Sequence, residues 1–387
     1  MKKVGLVCNY YMLNYGSLLQ CYATVKAIKD MGYDIEAIQF ENIPTKKAKK
    51  QLILRLKIKQ LFKPSAVLKK LERVKNTNYN SEYDELRLKR KEKFDLFVKD
   101  NIPLSQKYNS LEEVAEHCSD YDVIALGSDQ LLCPKDIIMG YHSLEFAPDD
   151  IKKISYAASF GLSKLPMIVK KKAARDLKRF DCFAAREIAG EKIYRELTGE
   201  KAPVVVDPTL LLSRDKWLEV AGEKPLVDGD YIFCYFIGDN EKHREMADII
   251  KEKTGLKIAT IRHIDDYISA DEGFGDVCIN DAGPVEFTNM ILNAKYVLSD
   301  SFHSTIFSIM YHKKFLVFNR FAEGSSGSTN SRIDSLLEML SLQDRRTDDK
   351  EKVNEILAGD IDYDKVDNKL ESWINDSKGY LKEACSD

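Results

Sequence analysis

The sequence lacks several patterns that assign a chain to a class directly. It has no Cys-x-x-Cys pair among its eight cysteines and no His-Glu-x-x-His pattern among its six histidines, so neither a structural zinc site nor a metallohydrolase is indicated. It also has no Walker A motif and no Gly-x-Gly-x-x-Gly fingerprint. No apolar run reaches the 18 or more residues of a membrane span. We therefore expect no metal and no bound cofactor.

Strong net charge is also missing. The chain has 59 Lys and Arg against 62 Asp and Glu, a formal net charge of -3, so the whole-chain charge gives no argument for a nucleic-acid partner. The eight cysteines are scattered through apolar stretches, which is typical of buried, reduced thiols. We expect a cytoplasmic protein, with a location at the inner face of the membrane as an extension of that prediction.

What the chain does have is a nearly continuous alternation of short apolar β-rich runs and helical patterns over 387 residues. This alternation predicts an α/β protein with two tandem Rossmann-like, doubly wound domains. We place the domains at residues 1–215 and 216–387, and expect the helix near the end of the chain to pack back on the first domain. The predicted strands are Lys3–Cys8, Asp34–Phe40, Val123–Leu126, Lys153–Ala157, Cys182–Ala185 and Pro203–Val206, then Tyr231–Ile237, Lys257–Ile261, Tyr296–Ser299 and Phe315–Phe318.

A segment of different composition, about residues 45–107, interrupts the first domain and is predicted as a basic helical insertion. Residues 45–75 contain twelve Lys or Arg and one acid, Glu72, so this stretch carries a charge of +11. One interpretation is a solvated insertion; another is a surface that associates with an anionic membrane and its lipid-linked substrates. Nucleic acid is disfavoured because few aromatics are interleaved with the charges.

Polar side chains follow several of the predicted strands, where ligands of such sheets bind. Gly127-Ser-Asp-Gln130 follows one strand, and Ser159 lies near the end of the next. Arg186 closes the strand Cys182–Ala185, and its planar guanidinium suits a carboxylate or phosphate. Turn formation, or a salt bridge between Arg186 and Glu187, explains each of these residues equally well. Asp207-Pro208 is interpreted as a domain hinge.

The segment Ser299-Asp-Ser-Phe-His-Ser-Thr305 lies between a strand and a helix. The spacing puts His303 in the first turn of that helix, beside free backbone N–H groups that favour an anion. An imidazole there is suited to act as general acid or base near neutral pH. A capping or hydrogen-bonded histidine is the structural alternative.

Six motifs occur in an order that resembles the polysaccharide pyruvyl transferase family. They are Asn14-Tyr-Gly-Ser-Leu-Leu-Gln20, Gly127-Ser-Asp-Gln130, Tyr156-Ala-Ala-Ser-Phe-Gly161, Ala185-Arg-Glu187, Val206-Asp-Pro-Thr-Leu-Leu-Leu212 and Ser299-Asp-Ser-Phe-His-Ser304. The resemblance implies a two-domain, GT-B-like fold. It also implies transfer of a pyruvyl group from phosphoenolpyruvate, as co-substrate, onto two hydroxyls of a sugar, with formation of a pyruvate ketal and release of phosphate. The acceptor it implies is a polysaccharide repeat unit or a lipid-linked oligosaccharide.

The resemblance also assigns roles to residues. Characterised members often have Arg-Leu-His where this chain has Ser301-Phe302-His303, so the histidine matches and one anion-binding arginine does not. Likewise, Leu131-Leu132 replace the aromatic residue that commonly follows Gly-Ser-Asp-Gln. The resemblance predicts a catalytic His303; donor binding by Arg186, Ser301, Phe302, Ser304, Lys314 and Arg320; and contacts to the acceptor or cleft by Asn14, Tyr15, Gly16, Gln20, Ser128, Asp129, Gln130 and Ser159. A nucleotide-sugar glycosyltransferase of the same fold and a non-catalytic saccharide-binding protein are the alternatives.

Overall fold

The structure is a computed structural model that describes residues 1–40, 77–264, 267–321 and 330–386. In these ranges the chain forms eleven β-strands and thirteen α-helices, arranged as two α/β units. The basic segment 45–75 lies outside the described residues, so its association with an anionic membrane stays a prediction.

The first unit is a parallel sheet with helices on both faces. Its strands are β1 (Lys3–Val7), β2 (Asp34–Phe40), β3 (Leu104–Tyr108), β4 (Val123–Leu126), β5 (Lys152–Ala158) and β6 (Cys182–Ala185), in the spatial order β3-β2-β1-β4-β5-β6. Its helices are α1 (Tyr15–Asp30), α2 (Thr77–Asn101), α3 (Leu111–Glu116), α4 (Pro134–Met139), α5 (Met167–Leu177) and α6 (Ile188–Thr198). All four residues of β4 are buried, because helices cover both faces of such a sheet.

The second unit repeats this architecture. Its strands are β7 (Tyr231–Tyr235), β8 (Lys257–Thr260), β9 (Val277–Cys278), β10 (Tyr296–Ser299) and β11 (Lys314–Val317), all parallel, in the order β11-β10-β7-β8-β9. The remaining helices are α7 (Arg214–Ala221), α8 (Glu241–Thr254), α9 (Pro284–Asn293), α10 (Phe302–Met310), α11 (Ser331–Leu340), α12 (Val353–Ala358) and α13 (Tyr363–Cys385). The predicted α/β class with two doubly wound units is confirmed.

Most predicted strands are confirmed, but two predictions are wrong. Pro203–Val206 forms only an isolated bridge between Ala185 and Val204, since side chains of α13 bind the backbone groups that a strand would use. The predicted insertion 45–107 contains β3, which pairs with β2, and the described helix α2. Phe94 and Phe97 of α2 are buried in the main core, so this part of the segment belongs to the packed fold.

Helix α13 lies against the first unit although it is the last element of the chain. The Trp373 indole donates to the Val204 carbonyl over 2.9 Å, and the Tyr380 hydroxyl donates to the Ser155 carbonyl over 2.9 Å. The Ser377 hydroxyl accepts a hydrogen bond from the Val206 N–H over 3.0 Å. These bonds tie the C-terminal helix to the segment that joins the two units.

Candidate functional site

The candidate site is a cavity of about 510 Å³ between the two units, which we call the central cavity. It is lined by residues that follow β1, β4, β7, β10 and β11, so the carboxyl ends of both sheets face it. Ligands of open parallel sheets bind at these ends. The lining includes Asn14, Tyr15, Gly16, Asp129, Gln130, Ser301, Phe302, His303, Arg320 and Arg332.

His303 enters the central cavity from the second unit. Ser301 caps α10 by accepting a hydrogen bond from the Ser304 N–H over 3.4 Å, which fixes the first turn that carries the imidazole. The His303 ring lies directly against Gly16 of α1, where an added Cβ atom would be 1.9 Å from Nδ1. His303 Nε2 lies 3.5 Å from Asp207 Oδ2. The imidazole is therefore held between a glycine of one unit and a carboxylate of the inter-unit segment.

Asp207 is the carboxylate that orients His303. Its Oδ1 accepts hydrogen bonds from the Thr209 N–H over 3.0 Å and the Thr209 hydroxyl over 2.8 Å, and its Oδ2 accepts from Arg186 over 2.9 Å. Burial raises the pKa of Asp207, but His303, Arg186 and the Thr209 N–H outweigh it and hold the pKa well below its usual range. Asp207 is thus ionised at neutral pH. The hinge interpretation missed this contact with the imidazole.

Arg186 follows β6, at the strand end where it was predicted, but its side chain lies behind the cavity wall. Its side chain is 1% exposed, and three carboxylates surround it, with Asp207 at 2.9 Å, Asp129 at 3.6 Å and Glu187 at 3.8 Å. Its guanidinium also lies 4.8 Å from the centre of the Phe302 ring. Because these carboxylates already exceed its charge, and because it does not line the central cavity, the geometry argues against a donor contact by Arg186.

The first unit contributes a strained loop to the wall of the cavity. Asp129 has a φ of 81°, a backbone conformation that non-glycine residues rarely adopt and that is found disproportionately at functional sites. Its carboxylate accepts a hydrogen bond from the Ser17 hydroxyl. Burial raises its pKa, but Arg186, His303 and Arg332 outweigh that effect and lower it. The first turn of α1 and the β4–α4 loop are thereby joined beside His303.

Two arginines of the second unit line the central cavity. Arg320 follows β11, and Arg332 lies in the first turn of α11, 5.5 Å from the Phe302 ring on which Arg186 also lies. Burial, followed by the charge of Arg186, lowers the pKa of Arg332 to about 10, so it stays charged at neutral pH. The sequence predictions did not include Arg332. Its position could have indicated a binding residue, because it lies in the first turn of an amphipathic helix that follows the Gly-Ser-Ser-Gly stretch at 324–327.

A third group on the cavity wall was also missed. The Cys133 thiol donates to Asp136 Oδ2 over 2.6 Å, and His142 Nδ1 lies 3.2 Å from Asp136 Oδ1. Burial, followed by the charge of Asp136, raises the pKa of the Cys133 thiol to about 12, so it is not a thiolate at neutral pH. Nothing in the local sequence distinguished this cluster from ordinary helix capping.

Several predicted residues lie near the cavity but use their polar groups elsewhere. Asn14 caps α1, and the Tyr15 hydroxyl donates to the Ala282 carbonyl over 2.7 Å while its ring stacks on Phe287. Ser128 donates to Asp207 over 3.3 Å, and Ser159 donates to Glu187 over 2.7 Å. The polar groups of these four residues therefore hold neighbouring parts of the structure in place.

Three further predicted residues, like Arg186, Ser128 and Ser159, do not line the central cavity. Lys314 begins β11 at the opposite end of the sheet and pairs with Asp360 at 2.8 Å, so the predicted donor contact is wrong. Gln20 is fully buried in α1, where its amide donates to the Ser17 carbonyl over 2.7 Å. Ser304 is buried one residue beyond His303.

Two searches of the described residues gave no further site. Within those ranges no group of three or more His, Cys, Asp or Glu residues is arranged to hold a metal ion. Of the helices that the structure describes, none is long and apolar enough to cross a membrane.

Two Rossmann-like units that face each other across a cleft define a GT-B-like fold, and known structures agree with it. The UDP-GlcNAc 2-epimerase from Methanocaldococcus jannaschii matches with a TM-score of 0.55 and 14% identity, over 94% of this chain and 93% of that chain. A structure of S. aureus MnaA with UDP matches with a TM-score of 0.51 and 12% identity, over 96% of this chain and 91% of that chain. No curated protein matches the chain in sequence.

The family is given by a separate comparison. The family model described as polysaccharide pyruvyl transferase matches residues 14–320, which is most of the chain and includes His303, Asp207 and Arg320. The chain therefore belongs to the polysaccharide pyruvyl transferase family, and the resemblance seen in the six motifs is confirmed.

Proposed function

We propose that the protein transfers a pyruvyl group from phosphoenolpyruvate onto two hydroxyls of a sugar, forming a pyruvate ketal and releasing phosphate. One observation carries this proposal. The His303–Asp207 pair lies in the same cavity as the cationic side chains of Arg320 and Arg332, so an acid–base group and an anion-binding region meet at one place.

In this arrangement one set of residues binds the donor and another transfers a proton to it. Arg320 and Arg332 bind the donor carboxylate and phosphate, together with the free N–H groups at the start of α10. The Phe302 ring contacts both Arg186 and Arg332, and it sets the position of the Arg332 guanidinium. Arg186 acts behind the wall, where it keeps Asp207 and Asp129 ionised and in place.

The chemistry then follows from the charge on Asp207. His303 lies beside this carboxylate and, as an imidazolium, delivers a proton to the methylene carbon of the donor to form the methyl group. The first sugar hydroxyl adds to the adjacent carbon, and its proton restores the imidazolium. The second hydroxyl then attacks the same carbon, and the bond between that carbon and the phosphate oxygen breaks. The departing phosphate takes up the proton of the second hydroxyl. Both hydroxyl protons are thereby accounted for.

We further propose a cytoplasmic location for this reaction. All eight cysteines are free in the structure, as is typical of a reducing compartment. A location at the inner face of the membrane and a lipid-linked acceptor both depend on residues 45–75.

The test is phosphate release from phosphoenolpyruvate with a panel of hexose and disaccharide acceptors, with the ketal detected by NMR. His303→Gln should lower the turnover at least about 100-fold, the usual effect of losing a general acid or base. His312→Asn is the matched control, since His312 follows the other end of α10 and pairs with Asp367 at 3.0 Å outside the cavity.

Three results would count against the proposal. Near-normal phosphate release by His303→Gln would make the histidine structural. A rise in melting temperature with a nucleoside diphosphate, and none with phosphoenolpyruvate, would instead favour a nucleotide-sugar glycosyltransferase. A saccharide-binding protein without catalysis would release no phosphate with any acceptor.

A further inference from the structure

A second cavity of about 340 Å³, which we call the side cavity, adjoins the central cavity. The two share the lining residues Met12, Asn14, Tyr15, Tyr235 and Ile237. The side cavity adds Arg90 from α2 and Arg262 and His263, which follow β8. It therefore lies between the two units, as the central cavity does, and no aspartate or glutamate of the described residues is among its lining residues.

Arg90 is fixed in this wall, and none of the carboxylates that the structure describes pairs with it. It is 4% exposed, and its Nη2 donates to the carbonyls of Asn280 over 2.6 Å and Arg262 over 3.1 Å. Its guanidinium lies 5.8 Å from the centre of the Tyr15 ring, and its Nε is buried without a hydrogen-bond partner. A buried charge normally has a paired carboxylate, because its desolvation is otherwise uncompensated.

Arg262 has the same arrangement. Its Nη2 donates to the Phe274 carbonyl over 2.7 Å, and its Nε is also buried without a partner. Among the described residues neither Arg90 nor Arg262 has a carboxylate within 4.0 Å. Lys93, three residues further along α2, shows the contrast, since it pairs with Asp281 at 3.1 Å and Glu286 at 2.8 Å.

We propose that Arg90 and Arg262 bind the phosphoryl group of a phosphorylated acceptor, that is, a sugar carried on a phosphate or diphosphate. This assignment rests on the proposed function for the identity of the sugar as acceptor. Two guanidinium groups held in place by backbone carbonyls present N–H donors in the geometry that phosphate oxygens accept. The acceptor sugar then extends past Asn14 and Tyr15, which line both cavities, toward His303.

The anion of the side cavity is distinct from the donor. His303, Arg320 and Arg332 line the central cavity and do not line the side cavity. A donor held at Arg90 would therefore lie away from the imidazole that must protonate it. Two anion sites, one for each substrate, match a reaction in which both substrates carry phosphate.

The experiment measures the binding of inorganic pyrophosphate and of phosphoenolpyruvate by calorimetric titration. The variants are Arg90→Gln, Arg90→Lys and Arg262→Gln in the full chain. We expect each Gln variant to weaken pyrophosphate binding about 10- to 100-fold, the range for lost hydrogen bonds to a charged group, and to change phosphoenolpyruvate binding less than about 3-fold. Arg320→Gln should give the reverse pattern.

Two controls separate the site from general effects. Lys89→Gln removes one positive charge from the neighbouring, solvent-exposed position on α2, where Lys89 pairs with Glu85, and should leave pyrophosphate binding unchanged. Arg90→Lys keeps the charge and tests the loss of the planar fork if Arg90→Gln does not fold. Arg262→Gln is the independent variant, since Arg262 is less buried than Arg90.

Each outcome has a defined meaning. No binding of pyrophosphate to the unmodified protein, or equal binding to all variants, would overturn the subsite. Competition between pyrophosphate and phosphoenolpyruvate for one site would also overturn it, because the side cavity would then hold the donor. Absence of phosphate release from phosphoenolpyruvate would instead contradict the proposed function and leave these binding results standing.

The source of the phosphoryl group is resolved by comparing three probes that share it. These are UDP for a nucleotide-linked sugar, glucose 1-phosphate for a sugar phosphate, and farnesyl diphosphate for a lipid-linked sugar. The probe whose affinity falls most in Arg90→Gln and Arg262→Gln identifies the acceptor class. If none of the three depends on these arginines, the proposal that they bind the acceptor is wrong.

Discussion

Gly16 and His303 lie in contact across the two units, and the position that a Cβ atom would take on Gly16 is 1.9 Å from His303 Nδ1. Gly16 is the second residue of α1, the helix that follows β1. The imidazole of the second unit thus packs on a surface of the first unit that only glycine provides. We therefore expect the position of the imidazole to depend on this contact as much as on the His303–Asp207 pair.

We predict that Gly16→Ala displaces the His303 ring and lowers phosphate release from phosphoenolpyruvate at least about 100-fold, as expected for a misplaced acid–base group. The control is Gly379→Ala in α13, where no atom lies within 4 Å of the added Cβ. That change should raise the free energy of unfolding by up to about 1 kcal/mol, since alanine favours a helix, and leave turnover unchanged. Normal turnover by Gly16→Ala would show that the contact is not needed.

The sequence predicted the fold better than the site. Strands Asp34–Phe40, Val123–Leu126, Cys182–Ala185 and Tyr296–Ser299 were predicted to the residue, because short apolar runs between helical patterns are a strong local signal. Leu104–Tyr108 was missed because it follows a highly charged segment and its own middle residues are polar and exposed. A strand at the edge of the sheet needs no continuous apolar run.

The site was harder because its contacts join residues distant in the sequence. His303 was identified from its place after a strand, but Asp207 lies 96 residues earlier and is fixed by three-dimensional packing. Arg186 was correctly placed at a strand end, yet the three carboxylates that take up its charge were visible only in the fold. Strand-end position predicts where a side chain begins and does not predict its partner.

A second prediction concerns the C-terminal helix. Trp373→Phe keeps most of the buried ring but leaves the Val204 carbonyl without its donor, so we expect a loss of roughly 1 to 3 kcal/mol in the free energy of unfolding. Glu371→Gln, on the exposed side of the same helix, should change it by less than about 0.5 kcal/mol. Urea denaturation followed by circular dichroism measures both. Equal midpoints for the two variants would mean that α13 contributes little through this bond.

A third prediction follows from the low pKa of Asp207. Asp207→Asn keeps an acceptor for Thr209 but removes the charge that faces Arg186 and His303, and breaking such a buried pair costs about 3 kcal/mol. Because the folded-state pKa lies below the unfolded value of about 3.9, this stabilisation is fully present above that value and is lost as the pH falls through the folded-state pKa. The difference between the unmodified protein and the variant should therefore be smaller at pH 3.5 than at pH 5.

Guanidinium denaturation at pH 7, 5 and 3.5 gives this comparison. Asp30→Asn serves as the control, because Asp30 forms an exposed ion pair with Lys216 and such pairs contribute about 0 to 1 kcal/mol. A difference for Asp207→Asn that grows between pH 5 and pH 3.5 would contradict the assignment of an ionised Asp207.

The last prediction separates the two arginines that flank Phe302. Arg186 is enclosed by three carboxylates behind the cavity wall, whereas Arg332 lines the cavity. Arg186→Lys should therefore lower the free energy of unfolding, because an ammonium group cannot contact all three carboxylates at once. Arg332→Lys should leave stability nearly unchanged and weaken phosphoenolpyruvate binding about 10-fold or more, through loss of the planar fork. Arg195→Lys is the control, since Arg195 is half exposed and pairs with Glu191 on α6.

Calorimetric titration with phosphoenolpyruvate and denaturant unfolding are measured on the same preparations. The assignment made from the geometry would be wrong if Arg332→Lys bound phosphoenolpyruvate as tightly as the unmodified protein and Arg186→Lys bound it more weakly. Arg186 would then be the donor-binding residue.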